Sequence, residues 1–358
     1  MVDYRQLMKS PQIVALLVIA MTLSCAAPPD SRSQEPTPRA TVSAGEFHLD
    51  GQPWWPTGLN AYQLATDWGV NAGCGAMVDL DQYFGSLPDG AATRFNVFQQ
   101  LAVNKFTGQL DFAPIDAVFA AAERHDQMVI PVLVGQDGAC EDGQYKDRDW
   151  YLEGWEQPTA MPLSYRDWVT TAVERWSVSP AVAAWEPIGE PETAVCGTDD
   201  CHWQFRTCPA DSAEVLREWT DEIGALIRHR DPDRLITAGL LGGDQCGLVG
   251  DGYKLIADSP YVDVLQYHDY DDAGFLPLRL AQTDKPLVVT ELGIAAGSCQ
   301  SLDDRAVQIG ERIDDYRAMG AAGAMLWAFV PDPRPAECTF DIGPEDPIRD
   351  LPQMSRAG

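Results

Sequence analysis

Residues Ser179 to Glu192 read SPAVAAWEPIGEPE, an apolar run that ends in three carboxylates and two further prolines. The run from Pro180 to Trp185 has the length and continuity of a strand buried on both faces. A glutamate at the end of such a strand is costly unless it is paired, hydrogen-bonded or used. Glu186 and Glu190 are separated by an even number of residues and so share one face of the strand. Glu186 lies deeper, where an arginine partner is expected, which leaves Glu190 at the strand's C-terminal end as the group to explain.

Working outward from this strand, seven more segments of strand length appear. They are WWPTGLN (54–60), ATRFNVF (92–98), MVIPVLVG (128–135), LITAGLL (235–241), VDVLQYHDY (262–270), PLVVTELG (286–293) and GAMLWAFV (323–330). With AVAAWEPIG (181–189) they make eight. Segments of helical period separate them. Ile115, Val118, Phe119 and Ala122 form one apolar stripe, Val215, Leu216, Trp219 and Ile223 a second, and Val307, Ile309, Ile313 and Tyr316 a third. Strands alternating with amphipathic helices pair in parallel through right-handed crossovers, and eight such units close into a (β/α)8 barrel. A doubly wound open sheet is the alternative, but no glycine-rich phosphate turn follows the first strand. The last unit is expected to be irregular, because PDPRPAECTFDIGPEDPIRDLP after the eighth strand is too rich in proline for a helix.

The bulk composition narrows the partners. The 358 residues carry 54 acidic and 25 basic side chains, a formal net charge of -29 that repels nucleic acid and anionic lipid. Near the N-terminus, Arg5 and Lys9 precede the apolar run Ile13 to Leu23, which is short for a membrane span and suited to a secretory signal. The Leu-Ser-Cys step at its end resembles the lipobox of bacterial lipoproteins, with Cys25 as the lipid-modified residue. Residues 1–24 are therefore expected to be a signal peptide, 25–45 a Pro/Ser/Thr tether, and 46–358 a single catalytic domain.

In a barrel of this kind the chemistry lies at the C-terminal ends of the strands. Asn60, Arg94, Glu190, His268, Tyr270, Glu291 and Trp327 occupy those ends. Glu190 closes the fourth strand and Glu291 the seventh, which face each other across the barrel. Two carboxylates over one mouth are what glycoside hydrolysis requires.

The series LDGQPWWPTGLNAY, RFNVF, WEPIGEP, YHDY, VVTELG and AMLWAF resembles the retaining (β/α)8 glycoside hydrolases of the cellulase and mannanase superfamily, and is most similar to glycoside hydrolase family 5. The resemblance covers residues of about 46 to 330. It implies that Glu190 is the acid/base and Glu291 the nucleophile. It further implies that Arg94 and Tyr270 keep Glu291 ionised, that His268 is a polar contact near the sugar, and that Trp327 is the platform beneath it, with Asn60 in the substrate site. No metal or organic cofactor is implied. On this reading Glu291 should titrate low and Glu190, collared by Trp185 and Pro191, high. The sequence departs from the family at Gly189, where an asparagine usually donates to the sugar 2-hydroxyl. That keeps open a carbohydrate-binding lipoprotein whose groove no longer turns over. The chain is expected to act as a monomer on a β-linked poly- or oligosaccharide.

Nine cysteines are present, and loss of Cys25 to lipid leaves 74, 140, 196, 201, 208, 246, 299 and 338. An even set in an exported chain favours disulfides. All follow a strand and precede the next main element, so bridges are expected on the mouth side, with Cys299 and Cys338 as a pair. A metal or redox site built on CGTDDCHWQFRTC (196–208) is the rival, although the spacing lacks the repeated pairs of a zinc site. Among loop tryptophans, Trp68, Trp150, Trp155 and Trp203 are candidates for further sugar platforms, about half of them expected to be plain packing.

Overall fold

An antiparallel hairpin opens the folded chain: β1 (Ala40–Ser43), β2 (Glu46–Leu49) and β3 (Gln52–Pro53), with Ala40 opposite Leu49 and Ser43 opposite Glu46. The computed structural model describes residues 38–198, 201–270, 274–351 and 354. The signal segment and Cys25 lie outside them. β1 thus lies within residues 25–45, the stretch expected to be a tether. Ala40, Phe47, Leu49 and Trp54 are buried against the first residues of the barrel strands, including Ala92, Met128, Leu235, Val264, Val288 and Met325. The hairpin thus plugs the end of the barrel away from the mouth, and each large side chain it buries is worth roughly 1.5–3 kcal/mol. Thr41 to Ser43 carry no strong apolar signal of their own; they are ordered because β2 needs a partner for its backbone.

The remaining elements follow in the expected alternation. They are β4 (Thr57–Asn60), α1 (Leu80–Gly85), β5 (Ala92–Asn96), α2 (Ala113–Arg124), β6 (Met128–Val132), α3 (Arg148–Leu152), α4 (Tyr165–Trp176), β7 (Ala184–Trp185) and α5 (Ser212–Arg230). Then come β8 (Leu235–Ala238), α6 (Gly252–Ala257), β9 (Val264–Asp269), α7 (Leu276–Ala281), β10 (Leu287–Leu292), β11 (Ala296–Gly297), α8 (Leu302–Met319), β12 (Ala324–Leu326) and β13 (Cys338–Thr339). Eight of the strands form one parallel sheet in the order β6-β5-β4-β12-β10-β9-β8-β7. Parallel bridges from Val129 to Val182, Val132 to Glu186 and Gly135 to Gly189 join its two ends, so the sheet closes into the (β/α)8 barrel. Closure is tight enough to demand glycine at Gly58, where a Cβ would stand 1.7 Å from the carbonyl oxygen of Ala92.

The helical stripes of α2 and α5 are buried as read. In α8 the buried face is Ala306, Ile309, Ile313 and Tyr316, whereas Val307 is 61% exposed. On a helix of 3.6 residues per turn Val307 falls outside the arc occupied by Arg305, Ala306, Ile309, Gly310, Ile313 and Tyr316, and so points away from the sheet. Caps fix the helix ends: Ser164 accepts from the Asp167 amide and Ser301 from that of Asp304. Beyond β12 the described residues form β13, paired with β11, and a 3-10 turn at Pro347–Asp350, with no α-helix after the last barrel strand.

Candidate active site

Arg94, on β5, holds the barrel interior together just below the mouth. Its Nε and Nη2 donate to Glu186 at 2.8 and 2.7 Å, and its Nη1 donates to Asn60 at 2.9 Å and to Glu291 at 2.6 Å. Glu186 also accepts from Gln266 at 2.8 Å, and Gln266 in turn accepts from Thr290 at 2.8 Å. Asn60 donates to the carbonyls of Thr290 and Leu326. Arg94, Glu186, Gln266, Thr290 and Asn60 thus satisfy one another, as a low-dielectric interior requires, whereas Thr237 Oγ1 and His268 Nε2 are buried without a hydrogen-bond partner among the described residues. Glu186 is the buried partner of Arg94, as its depth in the strand led us to expect. Space for it comes from Gly239, where a Cβ would lie 2.5 Å from its Oε1.

Glu190 rises above this layer. Its φ is +60°, in the left-handed region that costs a non-glycine residue about 1–2 kcal/mol. The turn is held on both sides, by Gly189 N–H to Val134 and by Glu190 N–H to Gly239 at 2.9 and 2.8 Å. The result aims the carboxylate, 40% exposed, toward His268 on β9, whose Nδ1 lies 2.8 Å from Glu190 Oε1 and 3.5 Å from Glu291 Oε2. The Tyr270 hydroxyl donates to Glu291 Oε2. Trp327 stacks on Tyr62 at 5.8 Å, and its peptide to Ala328 is cis. All seven residues picked from the strand ends therefore converge. Arg94, Glu190, Tyr270, Glu291 and Trp327 line one open cleft of 460 Å³, while Asn60 and His268 support it from beneath.

The electrostatics reverse the expected order of the two acids. Burial is the largest influence on each and pushes both upward. For Glu190 the hydrogen bond and charge of His268, helped by Arg94, outweigh burial, and its pKa falls below the ordinary value. For Glu291 burial and the nearby Glu190 prevail over His268, Arg94 and Tyr270, and its pKa is raised. The sequence placed His268 beside the sugar; its direct bond to Glu190 is what inverts the order. His268 is pulled down by burial but lifted more by the two carboxylates, so it holds its proton more firmly than a free imidazole.

Other residues of the cleft wall were not singled out from the sequence: Tyr62, Asn96, Phe98, Gln136, Asp137 and Phe340. Asn96 was within reach, since it lies two residues beyond Arg94 and so on the same face of β5. Phe340 arrives from the irregular last unit, packed edge-on to Tyr270 at 5.3 Å, and no local pattern announces it.

The bridges are Cys74–Cys140, Cys196–Cys201, Cys208–Cys246 and Cys299–Cys338, all in segments beyond the C-terminal ends of barrel strands, with Cys338 itself in β13. They include the expected pair, and they commit the sulfurs of residues 196–208 to disulfides, leaving no thiolate there for a metal. Among the described residues, Glu190, His268 and Glu291 could surround a cation, with one donor atom from each within 4.8 Å of the others. Arg94 and Tyr270 already occupy the two oxygens of Glu291, however, and Arg94 supplies the charge a cation would bring. Of the loop tryptophans, Trp155 is buried and Trp150 packs on Tyr151, Tyr165 and Trp219, whereas Trp68 and Trp203 are exposed.

No family model matches the chain. It is 28% identical over 303 residues to the Aspergillus terreus protein named "Probable mannan endo-1,4-beta-mannosidase C", a match spanning 73% of this chain and 70% of that one. It is 24% identical over 253 residues to mannan endo-1,4-beta-mannosidase A of Hypocrea jecorina, spanning 61% of this chain and half of the relative. Among solved structures, the endo-1,4-beta-mannanase of Rhizomucor miehei superposes with a TM-score of 0.64 at 19% identity, covering 86% of this chain and 96% of that one. A glycoside hydrolase family 5 mannosidase from the same organism gives 0.59 at 14% identity, covering 87% and 95%. The resemblance drawn from the strand-end motifs thus recurs in sequence and in fold.

Proposed function

We propose that this glycoside hydrolase cleaves β-1,4-mannan within the chain, with retention of configuration. The observation that carries the mechanism is the meeting of Glu190 and Glu291 over one cleft, with an oxygen of each within 4.8 Å of the other. Retaining enzymes hold their carboxyl groups about 5–5.5 Å apart, whereas inverting ones leave ~6.5–9.5 Å for a water. The choice of mannan draws on the relatives, whose names specify that polymer.

In this reading Glu291 attacks the anomeric carbon as Glu190 protonates the departing glycosidic oxygen, giving a covalent glycosyl-enzyme. Glu190, now a carboxylate, takes a proton from water, whose oxygen attacks the same carbon and frees Glu291. Arg94 and Tyr270 donate to Glu291 and keep it oriented and available as an anion. His268 is placed to hold a proton at Nδ1 between the acids; a sugar seated over Glu190 removes water from it and strengthens its hold on that proton. Trp327 and Tyr62 offer an apolar face to the pyranose.

Purified protein should release reducing ends from galactomannan and glucomannan faster than from cellulose derivatives, with the first product in the β-configuration by NMR. Initial formation of the α-anomer would sink the retaining mechanism. A groove that binds without turnover is favoured by Gly189 alone; equal inactivity of wild type and Glu291→Ala, with binding intact in both, would establish it. The disulfides fit an oxidising exterior, and we place the protein outside the cytoplasm, tethered by lipid at Cys25. Palmitate labelling of wild type but not of Cys25→Ala tests the anchor.

A further inference from the structure

Gly189 leaves a gap in the cleft wall directly before Glu190. A Cβ there would stand 3.0 Å from Nη2 of Arg94 and 3.5 Å from Val132, so a side chain at 189 would press on the guanidinium that holds Glu186 and Glu291. The wall beside the acid therefore needs its polar group from elsewhere. Asn96 ends β5, opposite Val132 in register, one alternation above Arg94 and on the same inward face. It is half-buried and lines the cleft together with Gly135, Gly189 and Glu190. Among the described residues its carboxamide has no protein partner, in contrast to Gln136 nearby, whose amide is bonded to Lys146, Glu192 and Tyr151. Tyr62 and Trp327, which also line the cleft, stack on each other.

We infer that Asn96 binds the hydroxyl at C2 of the sugar undergoing cleavage, replacing from the second strand a contact that Gly189 cannot make from the fourth. The inference rests on the glycosidase reading of the site. Carbon 2 adjoins the reacting centre, and a hydrogen bond to its hydroxyl strengthens as charge develops on the ring. A donor preset above Arg94, with no internal partner to give up, meets that charge without reorganisation.

The test uses an aryl β-mannobioside and its analogue lacking the hydroxyl at C2 of the sugar bonded to the aryl group. Wild type should turn over the parent and lose kcat/KM on the order of 100-fold on the deoxy analogue. Asn96→Ala should lose a similar factor on the parent and nothing further on the analogue. Asn96→Asp, which keeps the shape but not the N–H donor, should behave like the alanine variant. An equal loss on both substrates, or an unchanged rate on the parent, would overturn the role of Asn96 while leaving the hydrolase intact. Failure of wild type on the parent and on mannan alike would overturn the glycosidase reading as well.

Discussion

His268 and Glu190 are joined side chain to side chain across the barrel mouth, Nδ1 to Oε1 at 2.8 Å, from the sixth strand to the end of the fourth. The same imidazole lies 3.5 Å from Glu291. It lowers the pKa of both acids, and they in turn raise its own. Replacing it by glutamine removes the cation and leaves burial to push both carboxyls up. Because Glu190 titrates below Glu291, the acid limb of a pH–rate profile follows Glu190 and the alkaline limb follows Glu291. Both limbs for His268→Gln should therefore move to higher pH. A profile that drops in height without moving would show that His268 only positions groups.

Arg94 is the shared counter-ion of Glu186 and Glu291, and all three are almost fully buried. Removing one partner of a buried network leaves uncompensated charge, at a cost of roughly 3–5 kcal/mol. Arg94→Met should lower stability by that amount in urea melts and abolish turnover. Arg94→Lys keeps the charge but lacks the fork that reaches Glu186, Asn60 and Glu291 together. We expect it to recover part of the stability and little of kcat.

Cys299–Cys338 ties the segment just after β11 to β13, two residues before Phe340 reaches the cleft. The bridge spans 39 positions, and its removal by paired alanine substitution should cost on the order of 3–4 kcal/mol through the unfolded chain. Phe340 should then rest less firmly on Tyr270, raising KM more than it lowers kcat. Unchanged KM would mean that the strand pairing suffices to place the ring.

The barrel was legible because its strands are buried on both faces and end in polar residues, so each apolar run and its terminator could be read together. Alternation alone separated Glu186 from Glu190. What escaped depends on pairing at a distance. Thr41 to Ser43 are ordered by β2 and not by their own pattern, and Phe340 enters from a segment whose prolines forbid a helix. The titration order of the two acids was misjudged because Pro191 and Trp185 are visible next to Glu190 in the chain, whereas His268, 78 residues away, is not. Val307 misled for a simpler reason: its apolar side chain sits one residue outside the stripe that packs.

Glu141 gives a pH effect outside the reaction. It is buried in the loop that carries Cys140 to the cleft, 3.2 Å from Lys146, and burial pushes its pKa up to about 7 despite that cation. Unfolded, it titrates near 4.5. Below that value the group is protonated in both states and its contribution to stability is fully present. As pH rises toward 7 the unfolded chain releases the proton while the folded chain retains it, and stability is lost. The loss is complete above 7 and is on the order of 3 kcal/mol, at about 1.4 kcal/mol per unit. Glu141→Gln removes the titration. The variant should match wild type in urea melts near pH 4.5 and exceed it by a few kcal/mol at pH 8. An equal difference at both pH values would show that Lys146 keeps Glu141 ionised throughout.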